Sequence, residues 1–195
     1  LESSRSFTAR HRSVYPSMNR QISQIILDLN TAIRAGLEEL TKPDPVTGIN
    51  TVNALLTEMG WDTLSLEDFP TINGASYNQA SKFEDSRIVS GQITPRLVFE
   101  GIEFPTPQNA INEARLSALA LAIYLAGREI CTKSLGEEAL RLMVLDDVLM
   151  GLDQSNRKPI LDLLQNRFAG KWQIILLTHD RVWFDMARMA LGVSD

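Results

Sequence analysis

The chain has 195 residues, 44% hydrophobic and 22% charged, which suffices for one domain with a real core or for a domain plus an extension. Its net charge of -5 leaves no global basic footprint for nucleic acid. A single cysteine excludes an internal disulfide framework and fits a reducing compartment. Nothing resembles a signal peptide, and no apolar run approaches the ~18 residues that span a membrane. The sequence opens on Leu1 rather than Met, which suggests a fragment or a processed product.

The first local feature is an excess of positive charge: Arg5, Arg10, Arg12 and Arg20 face one acid, Glu2. A solvated tail or helix entry accounts for it better than a nucleic-acid contact. From Pro16 to Leu40 the pattern predicts an amphipathic helix. Met18, Ile22, Ile25, Leu29, Ile33, Leu37 and Leu40 recur at steps of three and four on one face. Pro16 suits a first helical turn, and Pro43 and Pro45 close the far end.

A short helix is expected over Val52–Met59, ending at Gly60. The polar stretch "TINGASYNQASKFEDS" reads as loop, and "RIVSGQI" and "RLVFEGIEF", separated by Thr94-Pro95, read as two strands of an antiparallel hairpin. The strongest helix signal is Asn112 to Cys131. Asn112 is a good N-cap, Glu113 suits the first turn, and Ala and Leu fill the interior. This helix is apolar on nearly all sides and should be buried, with Cys131 a small core residue at its end.

Leu142–Leu145 is then a short, wholly apolar strand running into Asp146. A helix follows from Ser155 to Phe168 with Pro159 in its first turn, and "WQIILLTHD" is a second apolar strand. The last helix covers Arg181–Leu191. Buried strands alternating with helices indicate an α/β parallel sheet.

In such a sheet ligands sit beyond the carboxyl ends of the strands. There one strand offers Asp146 and Asp147, the other Thr178, His179 and Asp180. Adjacent carboxylates repel, and desolvation disfavours both charges, so a cation or donor must offset the cost. Carboxylate oxygens suit Mg²⁺, a second carboxylate can serve a water as general base, and a histidine can donate toward a phosphate. Taken singly, the Asp pair reads as well as strand-end caps or an Asx-turn, and a lone His after a strand is more often a structural hydrogen-bonder. Their order and spacing carry more weight.

"LMVLDDVLMGLDQSN" resembles the Walker B motif and D-loop of the SMC/RecF-like group of ABC-type ATPase heads, and "QIILLTHD" resembles the strand and switch histidine of that group. "NAINEARLSALALAIYLA" resembles the signature segment, with Asn112 on its second glycine and Glu113 on its acid. By this resemblance Asp146 binds Mg²⁺, Asp147 is the catalytic carboxylate, His179 stands near the γ-phosphate, and Asp153 is the D-loop residue at a dimer interface. Asn112, Glu113 and Asp153 would then bind ATP. A helix N-terminus with free N–H groups suits a phosphate on physical grounds as well.

Three departures stand out. Ala110 and Ile111 replace the signature Ser and first Gly, and Asp147 stands where Glu is usual. No G-x-x-x-x-G-K-[ST] occurs in the chain, so the loop that cradles phosphates is absent from it.

The resemblance implies the C-terminal lobe of a P-loop ATPase head, α/β with a small antiparallel hairpin. Residues 1–42 form the returning end of a coiled-coil arm and 43–195 the lobe, with the motifs in 109–195. It further implies ATP and Mg²⁺ as ligands, an N-terminal Walker A half of the same protein and a second head as partners, and action on DNA, in a bacterial cytosol or nucleoid. A nuclease or effector subunit is a further partner that the resemblance implies. Two other functions fit the residues: a degenerate, non-hydrolysing lobe for assembly or signalling, and a metal-dependent phosphatase or nuclease on Asp146 and Asp147.

Overall fold

A computed structural model describes residues 2–81, 85–104, 111–148 and 154–192. The chain forms two compact units, Leu1–Glu38 with Phe69–Thr94, and Glu39–Asp68 with Pro95–Asp195.

The first unit is built on α1 (Glu2–Thr41). The helix begins well before Pro16, which lies inside it and not in a first turn. Phe7 and Val14 carry the apolar period upstream of Met18 at steps of seven and four, so the pattern continues through the proline at the cost of one N–H bond. The expected stripe is only partly turned inward. Ile22, Ile33 and Leu37 are half-buried and Leu40 is buried, but Met18, Ile25 and Leu29 are 37%, 64% and 50% exposed. Asn19, Ile26 and Asn30 take the inward positions instead.

What α1 meets explains the shift. The segment read as loop contains the end of β1 (Leu64–Asn73) and β2 (Ser76–Asn78), which pairs antiparallel with β3 (Arg87–Val89). Its backbone needs polar partners. Asn30 supplies two, accepting from Ala75 N–H at 2.9 Å and donating to Ala75 C=O at 2.8 Å. Tyr77 O–H donates to Asn19 at 2.6 Å, and Arg34 donates to Ile72 C=O. The approach at Asn30 is close enough that a methyl group on Gly74 would lie 2.3 Å from Asn30 Cγ.

In the second unit α2 (Thr51–Glu58) is capped by Asn50, which accepts from Asn53 N–H while donating to Leu66 C=O of β1. β4 (Gln92–Phe99) lies between β1 and β5 (Ile102–Phe104). The hairpin is therefore β4–β5, turning at Glu100 and Gly101, both at positive φ (52° and 78°) as a two-residue turn requires. β4 runs straight through Thr94-Pro95, where a break was expected. On the β5 side the missing N–H of Pro95 breaks no ladder bond, because β5 pairs only with Leu97–Phe99.

α3 (Glu113–Leu135) packs on α2. Ala118, Leu119, Leu121, Ala122, Leu125 and Ala126 are buried there, and each leucine contributes about 1.5–3 kcal/mol by leaving water. Cys131 is exposed, contrary to expectation. Cys131 lies past Ala126, the last buried position of α3, where the helix has left the core. α4 (Gln154–Leu163) continues as a π-helical turn, Leu164–Phe168, with Pro159 inside the helix and not in its first turn. On that turn Arg167 forks onto Glu129 of α3 at 2.7 and 2.8 Å and reaches Glu58 of α2, tying three helices together. Glu129 is the main cause holding the Arg167 proton more tightly than usual. α5 (Arg181–Leu191) ends the described chain.

β6 (Leu142–Asp146) and β7 (Gln173–Leu177) pair in parallel, Leu142 opposite Gln173 and Asp146 opposite Leu177. The parallel pairing expected from two apolar strands is present. The strands are not buried on both faces, however. Met143 and Leu145 are covered, whereas Val144, Ile175 and Leu177 on the other face are exposed.

Candidate functional site

The register of β6 and β7 brings their carboxyl ends level, and the polar residues follow from there. Asp147 N–H donates to Leu177 C=O at 3.0 Å, extending the ladder by one residue past β6. Asp147 itself adopts positive φ (47°), a conformation that Asp tolerates better than most side chains. This turn gives Asp147 surroundings distinct from those of Asp146.

Asp147 turns to His179. Its Oδ2 lies 2.8 Å from His179 Nδ1, and its Oδ1 accepts from the His179 backbone N–H at 3.3 Å. An ionised carboxylate only accepts hydrogen bonds, so Nδ1 carries the proton in this pair. The histidine is the first cause holding the Asp147 carboxyl below the usual carboxylate range, against a smaller opposing cost of burial. With Nδ1 committed, Nε2 is the ring nitrogen left to meet a ligand, and the His179 side chain is 66% exposed.

Asp146 takes the other side. It lines a cavity of about 470 Å³ with Ser117, Ala120, Leu121 and Tyr124 of α3 and Val144, Leu145 and Val148. Among the described residues no cluster of three or more His, Cys, Asp or Glu side chains is arranged to hold a metal. One exposed carboxylate suits a cation that keeps most of its waters and takes phosphate oxygens, as Mg²⁺ does, and does not suit one that needs a protein cage.

The α3 N-terminus carries the other predicted residues. Asn112 is the N-cap, accepting from Arg115 N–H at 3.0 Å, and Glu113 is in the first turn. The cap occupies Asn112 Oδ1 and leaves its amide donors. The Arg115 guanidinium lies 4.1 Å from the centre of the Phe99 ring, a cation–π contact. Asp153 and Ala110 lie outside the described residues. The structure thus joins Asp147 with His179, sets Asp146 beside them along the chain, and leaves Asn112 and Glu113 on a separate element.

Sequence reasoning did not single out Arg157. Its side chain, 10% exposed, pairs with Asp180 at 2.6 Å and lies 5.7 Å from the Trp183 ring. Nothing in a run such as "SNRKP" marks an arginine as buried. Its partner Asp180, 23 residues further along the chain, was read only as one of the polar residues at the end of the second strand.

Neither protein-family models nor curated proteins match this chain. Among solved structures it is similar to one described as "Structural biochemistry of ATP-driven dimerization and DNA stimulated activation of SMC ATPases", at 15% identity and a TM-score of 0.46, over 80% of this chain and 76% of that one. No helix among the described residues is long and apolar enough to cross a membrane.

Proposed function

We propose that the chain is the C-terminal half of an SMC/RecF-like ATPase, which binds and hydrolyses ATP between two dimerised heads and acts on DNA in repair, chromosome organisation or anti-phage defence. The observation that carries this reading is the pairing of Asp147 with His179 at the carboxyl ends of two parallel strands, 2.8 Å apart, next to Asp146. In the proposed roles Asp146 holds Mg²⁺. When bound, the metal neutralises charge on phosphate oxygens. His179 presents Nε2 to the γ-phosphate, and Asp147 orients the ring while serving the attacking water. Asn112 and Glu113 on α3, with Asp153, contact the nucleotide held by the other head.

A second feature supports a missing half. Two parallel strands alone rarely stand without further strands, and here the face of Val144, Ile175 and Leu177 is uncovered. An N-terminal Walker A half of the same protein would supply both the phosphate cradle and that cover, with residues 1–42 as the arm that returns from it. The chain by itself is then inactive.

The alternative, a non-hydrolysing lobe for assembly or signalling, draws on one observation. A carboxyl held below the usual range by His179 is a weak general base. Phosphate release by the intact parent decides between them. Asp147→Asn should retain ATP binding, lose turnover and accumulate an ATP-dependent dimer, whereas Asp146→Asn should weaken Mg²⁺–ATP binding. Wild-type turnover in Asp147→Asn would refute the hydrolytic role, and tight Mg²⁺-dependent ATP binding by this chain alone would refute the split head.

A further inference from the structure

His179 is placed by a loop of three residues, Thr178 to Asp180, between β7 and α5. Its upstream side is fixed by the β6–β7 ladder, since Leu177 C=O accepts from Asp147 N–H. The downstream side depends on Asp180, whose groups are all engaged. Oδ1 accepts from Val182 and Trp183 N–H at 2.9 and 3.2 Å, Oδ2 takes Arg157 Nη1 at 2.6 Å, and the backbone N–H donates to Thr178 Oγ1 at 3.1 Å.

Arg157 comes from a different element, the first half of α4, and is buried. A guanidinium in that setting needs a carboxylate partner, because leaving it unpaired is far costlier than leaving a surface charge. Asp180 is therefore held from outside the loop, by a buried guanidinium on α4. The Trp183 ring beside Arg157 adds a second restraint on the same arginine. The capping bonds of Asp180 lie within its own helix turn and do not by themselves fix α5 to α4.

We infer that Arg157 is a positioning residue: through Asp180 it sets the His179 ring in line with Asp147. The inference rests on the proposed ATPase reading for its importance to turnover, but its geometry is testable without nucleotide.

The test uses this chain and the imidazole nitrogen shifts of its histidines by NMR; His11 is the only other one. In the wild type His179 should be the Nδ1–H tautomer, held by Asp147. Arg157→Gln should shift it toward the Nε2–H form that free imidazole side chains favour, with the fold retained by circular dichroism. Asp180→Asn keeps an N-cap acceptor for α5 but removes the charge that holds Arg157, and should produce the same shift. If Arg157→Gln fails to fold, Asp180→Asn alone decides. Should the variants melt earlier yet keep His179 as Nδ1–H, Arg157 is only a stabilising residue and the inference fails. A wild type without Nδ1–H would overturn the Asp147–His179 pair and with it the proposed function. In the intact parent Arg157→Gln should lower kcat at least tenfold with KM nearly unchanged, and loss of this effect alone would count against the ATPase reading and leave the positioning intact.

Discussion

Around α3 the buried positions are alanines and leucines, while around α1 they include the buried Asn19, with Asn30 half-buried. The sequence reads α1 as an apolar stripe and α3 as apolar on nearly all sides; α3 buries a run of its apolar residues, while the α1 stripe is only partly turned inward. α3 meets the apolar face of another helix, so its hydrophobic positions are its contact positions. α1 meets strand ends and turns whose N–H and C=O groups must be satisfied, so amide side chains win the inward face. Hydrophobic periodicity locates a helix in both cases. It locates the contact face only where the surface opposite is apolar too.

The largest effect should come from the α3 side. Leu125 is fully buried, and Leu125→Ala should cost about 2–5 kcal/mol through lost transfer energy and the cavity left behind. Urea unfolding of the chain measures it. A loss below about 1 kcal/mol would mean that α3 is loosely packed and the contrast with α1 is overstated.

The next sharpens the contrast directly. Asn30→Leu makes α1 more amphipathic by sequence pattern, yet it removes both bonds to Ala75. At a net ~0.5–1.5 kcal/mol for each bond, the first unit should lose about 1–3 kcal/mol. Amide exchange at Ala75 should quicken while that of Leu125 stays unchanged. A stabilised Asn30→Leu variant would show that the period, and not the backbone, sets the face.

The same distinction explains what could be read without a structure. The strands β6 and β7, the Asn112 cap, the ends of α5 and the approach of His179 to Asp147 follow from apolar runs that end in polar residues, a signal with one physical interpretation. The polar stretch before β3 failed because short strands such as Ser76–Asn78, paired only with Arg87–Val89, carry little hydrophobic alternation. Pro16 and Pro95 failed because proline was taken as an element boundary, a helix start at Pro16 and a break between strands at Pro95, while its fixed φ suits both a helix and an extended strand. The turn of Asp147 away from Asp146 could not be read at all, since it depends on a positive φ that Asp accepts without advertising it.

A smaller effect concerns that turn. Because His179 holds the Asp147 carboxyl below its ordinary value, the pair favours the folded state above the unfolded carboxylate value of about 3.9. That contribution is lost as pH falls through the lower folded value and Asp147 takes up its proton. Carboxyl carbon shifts should give Asp147 a midpoint below that of a free aspartate, and His179→Ala should raise it. An unchanged midpoint would remove the hydrogen bond that sets this end of the sheet apart from an ordinary strand terminus.

The smallest effect is expected on the exposed part of the α1 stripe. Ile25 and Leu29 belong to the predicted stripe but are largely exposed, at 64% and 50%, so replacing both by Gln removes little buried surface. Surface changes of this kind stay within about 0.5 kcal/mol each, and Gln keeps a good helix propensity. The double variant of this chain should therefore unfold in urea at the wild-type midpoint. In the intact parent the expectation differs, because a returning arm would press the same face against its other strand of coiled coil, where Ile and Leu at such spacing form the seam. There the double variant should lower the melting temperature of the arm while leaving Asn30→Leu, on the opposite side of α1, without effect on that transition. If the parent is as indifferent as the isolated chain, the stripe has no partner and residues 1–42 are not a coiled-coil arm.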